Sequence, residues 1–275
     1  MTTRPSAHFV PLVKWTGSKR SQAAEIVRRF PRDFVTYYEP FVGGASVAYQ
    51  AAPPKAVCAD ILDPLIELWR VVQDRPHEVA ERYCREWERL QRHGHEAFYD
   101  VRDRFNANPN PFDLLFLSRT CVNGLIRFNK KGEFNNSFHL TRPGIHPDRL
   151  RSIVLDWSAR LAHVDFRCGD YRETTAGATK HDFVYLDPPY FNTRGRYFGR
   201  IQFDGFLDYL HRLRRRGIRY ALSYDGNRAG VDYSVDLPRS LYERRLLIPS
   251  GNSPFRKVMG KKAEMVEESL YLSWK

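Results

Sequence analysis

The stretch Asp182 to Tyr190, DFVYLDPPY, constrains this chain more than any other. Phe183 to Leu186 is a short apolar run rich in β-formers, which reads as a buried strand. Pro188 and Pro189 stop it at once, because neither can donate to a ladder. The strand therefore delivers an acid, Asp187, a rigid kink and the ring of Tyr190 to one place. In open α/β sheets, ligands bind at the carboxyl ends of the strands. An acid, fixed carbonyls and an aromatic face converging there suit one small planar group, and the exocyclic amine of a nucleobase fits. With the Asp187 carboxylate and the Pro188 carbonyl accepting both amine hydrogens, the nitrogen lone pair turns out of the ring toward an electrophile, and Tyr190 stacks on the base. The bland alternative is a strand end followed by an ordinary Pro-Pro loop. At average proline usage, however, the string DPPY arises by chance in a chain this long only about once in a thousand.

Charge narrows the partner. Across 275 residues, 44 Lys and Arg stand against 32 acids, a formal +12, and such an excess points to a polyanion. No amphipathic basic helix or lipidation signal accompanies it, which favours nucleic acid over a membrane surface. Residues 1–12 lack the apolar core of a signal peptide, and no run approaches the ~18 apolar residues of a membrane span. A soluble, cytoplasmic protein is expected, and 42% hydrophobic residues suffice for a sizeable core. Cys58, Cys84, Cys121 and Cys168 are far apart with no CxxC pair, so reduced, mostly buried thiols are expected. The histidines show no metal spacing and no metal is expected; His93 and His95 flank Gly94 in an inter-helix turn.

Near the N-terminus, PLVKWTGSKR (11–20) offers the flat face of Trp15. Gly17-Ser18-Lys19 lacks the first glycine of a phosphate-binding loop and reads instead as the lead into a helix, Ser21 to Phe30, whose N-terminal amides suit a carboxylate. Thr36 to Phe41 reads as a strand, Val42 to Ser46 as a glycine turn opening a helix through Gln50, and Lys55 to Ala59 as a strand ending in Asp60. Glycine permits close backbone approach to a ligand, and Asp60 follows the turn at nearly the spacing at which an acid receives ribose hydroxyls. The turn is not GxGxxG, so the unit describes a site for a single nucleoside rather than a dinucleotide, with a plain βαβ unit as the alternative.

From Pro64 the pattern is helical. Leu65, Leu68, Trp69 and Val72 share one face, and Val79, Tyr83, Trp87 and Leu90 another. Phe98 to Phe105 and Leu114 to Cys121 continue as helices, forming a small insertion. Between Arg119 and Arg142, Arg119, Arg127, Lys130, Lys131 and Arg142 interleave with Asn123, Asn129, Asn135, Asn136, Phe128, Phe134 and Phe138. Arginine suits guanine, asparagine adenine and lysine phosphate; a solvated basic hairpin fits the composition equally. Asp148 to Trp157 reads as a helix and Val164 to Cys168 as a strand with Gly169-Asp170-Tyr171 at its tip. Phe191 to Phe203 reads as a mobile lid, Asp204 to Arg216 as a helix and Ile218 to Ser223 as a strand. Leu241 to Ile248 and Glu264 to Trp274 read as a closing hairpin around a basic tip, Ser250 to Lys262.

KWTGSK, YEPFVGGASV, the acid Asp60, NGLIRFNKKGEFN and YLDPPY occur in one order over nearly the whole chain. In this the sequence resembles the Dam-like, alpha-group (D12 class) DNA adenine-N6 methyltransferases. The resemblance implies an α/β fold, a Rossmann-like seven-stranded methyltransferase sheet, with S-adenosyl-L-methionine as cofactor. It also implies a helical target-recognition domain, 71–145, inserted between catalytic segments 1–70 and 146–275. Cofactor contacts are implied for Trp15, Lys19, Asp60 and Asp187, with Glu39, Gly43, Gly44 and Asp170 nearby. Catalytic positions fall on Asp187, Pro188, Pro189 and Tyr190. DNA contacts fall on Lys14, Arg119, Asn123, Arg127, Asn129, Lys130, Lys131, Asn135 and Phe138. Double-stranded DNA is the implied partner of a monomer, and a cognate restriction endonuclease is left open. The turn is GGAS where many members carry GAGS or GGGS, and GEFN is followed by Asn136-Ser137 where GATC enzymes show Val-Pro. Val122 stands where some members place an aromatic wedge. These departures leave the adenine chemistry intact but do not imply GATC as target. Two alternatives stay open: an RNA adenine-N6 methyltransferase, disfavoured by the long basic insertion, and an inactive DNA-binding methyltransferase fold, disfavoured by intact Asp60, Asp187 and Tyr190.

Overall fold

A computed structural model describes residues 9–141, 143–189, 201–228, 231–232, 237–252 and 265–275. Arg142, Tyr190, most of the expected lid (191–200) and most of the basic tip (253–262) lie outside the described residues. The helices are α1 (Ala23–Arg28), α2 (Ser46–Ala51), α3 (Asp63–Asp74), α4 (Pro76–His93), α5 (His95–Ala107), α6 (Pro111–Thr120), α7 (Pro147–Arg160), α8 (Tyr171–Thr174) and α9 (Phe203–Arg215). The strands are β1 (Tyr37–Glu39), β2 (Ala56–Asp60), β3 (Val164–Cys168), β4 (Phe183–Leu186), β5 (Arg219–Tyr224), β6 (Asn227–Arg228), β7 (Val231–Asp232), β8 (Arg244–Asn252) and β9 (Met265–Leu272).

Seven main strands form one sheet in the order β3-β2-β1-β4-β5-β9, with β8 on the other edge of β9. The first five are parallel to one another. Strand β9 is antiparallel to β5 and β8 antiparallel to β9, which makes the expected closing hairpin. The two-residue strands β6 and β7 add a small ribbon beside β9. The chain leaves β1 toward β2 and β3, and leaves β4 toward β5 on the other side. The crevice between the carboxyl ends of β1 and β4 is therefore the topological switch point, where open α/β sheets bind ligands. Glu39 ends β1, and Asp187 directly follows β4.

Parallel strands covered on both faces need apolar side chains on both faces, and the alternation along each strand sends them to two clusters. Tyr37, Phe183 and Tyr185 enter one, while Tyr38, Val184 and Leu186 enter the other beneath α9. The first cluster contains Trp69 stacked on Trp157 at 5.2 Å. It runs on without a break into Tyr83 of α4, Phe98 and Phe105 of α5, and Leu114 to Leu117 of α6. Helices α4 to α6 thus share the core of the sheet. Helix α3 continues past residue 70 to Asp74, and α4 begins at Pro76. Gly94 separates α4 from α5, as expected. Cys58 and Cys121 are buried, but Cys84 is only partly so and Cys168 is exposed at the outer strand β3, which corrects the expectation of mostly buried thiols. No helix among the described residues is long and apolar enough to cross a membrane.

Strand β4 is pinned at its start by Asp182, a buried carboxylate. One oxygen accepts from the Thr36 N–H at 2.9 Å, and the other from the Thr179 N–H and hydroxyl, both at 2.8 Å. Removing an acceptor that leaves a buried donor unpaired costs about 1–3 kcal/mol. Asp182→Ala is expected to lower stability by about that amount in urea unfolding, and an unchanged midpoint would show that β4 is held by packing alone.

Candidate active site

The pocket at the switch point is built from stretches well separated in the sequence. It is lined by Trp15 to Lys19, by Glu39 and Phe41 to Gly44, by Asp60 to Leu62, by Asp170 and Tyr171, and by Asp187 to Pro189. All eight expected cofactor residues, Trp15, Lys19, Glu39, Gly43, Gly44, Asp60, Asp170 and Asp187, therefore come together. Ile126 and Phe128 also line it. Composition placed Phe128 in a basic hairpin; only the fold shows that the inward-facing side of that segment reaches the pocket.

The glycine turn is held from three directions. Its Gly43 N–H donates to Asp60 Oδ2 at 3.1 Å, and its carbonyl accepts from Trp69 Nε1 at 3.0 Å. Above it lies Trp15: a Cβ on Gly43, at φ 45°, would stand 2.5 Å from Trp15 Nε1, and one on Gly44 2.9 Å from Trp15 Cβ. The close approach that these glycines permit is thus by the Trp15 side chain, which becomes a pocket wall. Ser18 is tied to Ser46 at the start of α2, Oγ to Oγ at 2.7 Å. Helix α1 begins only at Ala23, and Thr16 to Lys19, rather than its amides, face the pocket.

Lys19 is nearly fully buried, and its ammonium meets acceptors from three elements. Nζ lies 2.8 Å from Asp187 Oδ1, 3.1 Å from the Gly17 carbonyl and 3.4 Å from Glu268 Oε2 on β9. Burial pushes the Asp187 carboxyl up to about 6, against the pull of Lys19 and helped by the charge of Glu268. Burial likewise pushes Asp60 up to about 6, opposed by the N–H groups of Leu62, Gly43 and Ile61. Glu39 rises furthest, to about 8; burial dominates, the hydrogen bond from Tyr37 at 2.7 Å opposes it, and the charge of Asp187 adds to it. At Asp170 burial acts upward, but hydrogen bonds from the Arg172 side chain and backbone N–H, with the guanidinium charge, outweigh it and hold the carboxyl below its usual range. Four carboxyl groups thus line the pocket beside one lysine, in a chain of net charge +12. A site of this sign suits amines, hydroxyls and a cationic centre, and disfavours phosphates. Among the described residues no group of three or more His, Cys, Asp or Glu is arranged to hold a metal.

The basic segment divides into outward and inward residues. Lys130 and Lys131 are exposed at the hairpin tip, and Asn123 is exposed in a left-handed turn at φ 57°. The stem of Lys14 lies on this turn, since a Cβ on Gly124 would meet Lys14 Cδ at 2.4 Å. Exposed Arg127 donates through Nε to Asn135 Oδ1 at 2.8 Å and through Nη2 to the Asn135 carbonyl at 3.2 Å, so these two act as one unit. Arg119 is a correction: its guanidinium is buried, bonded to the Pro11 carbonyl, and burial lowers it to about 10. Asn129 is another. Its carbonyl accepts from the Lys131 and Glu133 N–H groups and its amide donates to Glu133 Oε2, so it closes the hairpin. Phe138 packs partly buried against Phe98 at 5.5 Å, on the core side. Asn136 binds the Val122 and Leu125 carbonyls at 2.9 Å each and fixes the turn that carries Asn123.

The family model described as D12 class N6 adenine-specific DNA methyltransferase matches residues 15–245. The type II methyltransferase M.MjaIII of Methanocaldococcus jannaschii is 31% identical over 263 residues, 85% of this chain and 88% of that protein. The modification methylase StsI of Streptococcus sanguinis is 31% identical over 77% of this chain, which spans 34% of that longer protein. The DNA adenine methylase of Salmonella typhi is 32% identical over 65% of this chain and 64% of its own length.

A side chain at Gly43 should damage the pocket wall. Gly43→Ala combines a left-handed backbone with a clash against Trp15, whereas Gly94→Ala, also at positive φ, meets nothing within 4 Å. Overpacking costs about 1–3 kcal/mol, so the Gly43 variant should unfold at lower urea than the Gly94 variant and shift the tryptophan fluorescence. Equal midpoints with unchanged fluorescence would contradict the contact.

Proposed function

The chain belongs to the D12 class N6 adenine-specific DNA methyltransferases, and from that premise we propose that it methylates adenine N6 in double-stranded DNA using S-adenosyl-L-methionine. The observation that carries the reading is the convergence, at the switch point of a basic protein, of Asp187-Pro188-Pro189 with an acid-lined, aromatic-walled nucleoside pocket. When bound, S-adenosyl-L-methionine supplies an electrophilic methyl group on a sulfonium, and the residues fit it. Asp60 suits ribose hydroxyls, Trp15 offers a flat wall, and the surplus of carboxylates suits the positive sulfur.

The substrate adenine must leave the helix to reach such a pocket, at a cost of a few kcal/mol recovered by stacking and hydrogen bonds. We assign Asp187 Oδ and the Pro188 carbonyl to the two amine hydrogens and, from the sequence, Tyr190 to the stacking face. The residues contribute positioning and electrostatics; no strong base is required, because the turned-out lone pair is itself the nucleophile. Asp187 accepts from an amine more strongly when ionised than when protonated, so turnover should rise with pH through about 6 and fall below it as the carboxyl gains its proton.

For DNA, we propose residues 71–145 as the target-recognition insertion, with Lys130 and Lys131 on phosphates and Arg127, braced by Asn135, reading a base beside Asn123 and Lys14. The names of two relatives, a modification methylase and a type II methyltransferase, support an enzyme of DNA modification, and we propose that it acts as a cytoplasmic monomer with a restriction partner in function.

Asp187→Ala is expected to abolish transfer of labelled methyl groups to duplex DNA, and normal turnover in that variant would remove the site assignment. Arg127→Ala is expected to relax the methylated sequence at one base pair, since an arginine bidentate to guanine discriminates by about 1–3 kcal/mol. Long-read modification mapping reads this out directly. Weaker binding with an unchanged sequence at every position would make Arg127 a backbone contact.

A further inference from the structure

Glu268 lies outside every motif of the chain, yet its Oε2 is 3.4 Å from Lys19 Nζ, the ammonium that also holds Asp187 Oδ1 at 2.8 Å. Its position follows from the antiparallel register of β9, which sets Ser269 opposite Tyr224, the last residue of β5. The next residue toward the start of β9 therefore stands at the level of the carboxyl ends of the parallel strands, where the pocket is. Lys19 is 4% exposed, and the Asp187 and Glu268 side chains 17% and 21%. One ammonium cannot neutralise two carboxylates, so at low solvent exposure its position between them decides how much negative charge each retains.

We infer that Glu268 is a positioning residue that acts through Lys19: as a second anion on the same ammonium it offsets part of the hold of Lys19 on Asp187 and so keeps the Asp187 carboxylate available as a hydrogen-bond acceptor for substrate. This rests on the proposed role of Asp187 in holding the adenine amine. The groups facing Asp187 among the described residues come from four elements. They are Lys19 from the N-terminal segment, Glu268 from β9, Glu39 from β1 and the Tyr185 phenol from β4. Only Lys19 lowers the proton affinity of Asp187, and Glu268 opposes it. An uncharged side chain of the same shape at 268 keeps an acceptor for Lys19 but removes the competing anion. Lys19, already 2.8 Å from Asp187, then acts on it without that opposition, so Asp187 binds its proton less tightly and is less open to an amine.

The test follows the Asp187 carboxyl carbon by 13C NMR titration in the full chain without added ligand, and in parallel the pH dependence of kcat on duplex DNA. Wild type should titrate near 6. Glu268→Gln should lower the proton affinity of Asp187 about threefold or more, move the acid limb of kcat to lower pH by the same factor, and reduce the plateau of kcat. Glu268→Asp, which keeps the charge, should lie between the two, and it carries the test if the Gln variant does not fold. An Asp187 titration identical in wild type and variants overturns the inference, as does a kcat profile that superimposes. A wild-type protein that methylates no DNA would refute the proposed function and leave the titration to judge the Lys19–Glu268 coupling by itself.

Discussion

The ammonium of Lys19 ties together parts of the chain that are most distant in sequence. It belongs to the segment before α1, and its partners follow β4 and lie within β9. A lysine this buried keeps its charge only where anions compensate the lost hydration, so the pocket wall and the strand end that it joins cannot form independently. Trp15, four residues earlier, is thereby laid over Gly43 and Gly44, and Ser18 is brought to Ser46. Removing one partner of a buried ion pair costs about 3–5 kcal/mol, so the loss of Lys19 or Asp187 would unfasten the N-terminal segment from the end of β4.

The distribution of charge follows the same division. The chain carries a surplus of twelve positive charges, and Arg127, Lys130 and Lys131 are exposed, whereas carboxyl groups concentrate around the switch point. The basic hairpin connects the two regions physically. Arg127 faces outward with Asn135, while its neighbours Ile126 and Phe128 line the pocket. Adjacent residues of one extended segment thus face opposite ways, one toward solvent and two toward the pocket.

Much of this was legible before the structure, and the rest was not for identifiable reasons. Strands β3 and β4 match the sequence reading residue for residue: β4 is a buried apolar run cut short by Pro188, and β3 begins by alternating buried with exposed residues and stops before Gly169. The acid pair Asp60 and Asp187 was readable because each stands at the carboxyl end of a strand, Asp60 closing β2 and Asp187 following β4. The two-residue strands β6 and β7 carry no periodicity to read. Arg119, Asn129 and Phe138 share their composition with Asn123, Arg127 and Lys130, and only the fold shows which of them turn inward or close the hairpin. Glu268 was invisible for another reason: its role depends on the register of β9 against β5, which is set by pairing across the sheet rather than by local pattern.

The central claim is that this pocket presents an adenine amine to a methyl donor. Its most direct test is nucleoside analysis by mass spectrometry of unmethylated duplex DNA, and of RNA in parallel, after incubation with the protein and S-adenosyl-L-methionine carrying a labelled methyl group. The account predicts label in N6-methyladenine from the duplex DNA and none elsewhere. Label in a methylated cytosine, label confined to RNA, or no transfer to any nucleic acid would contradict it.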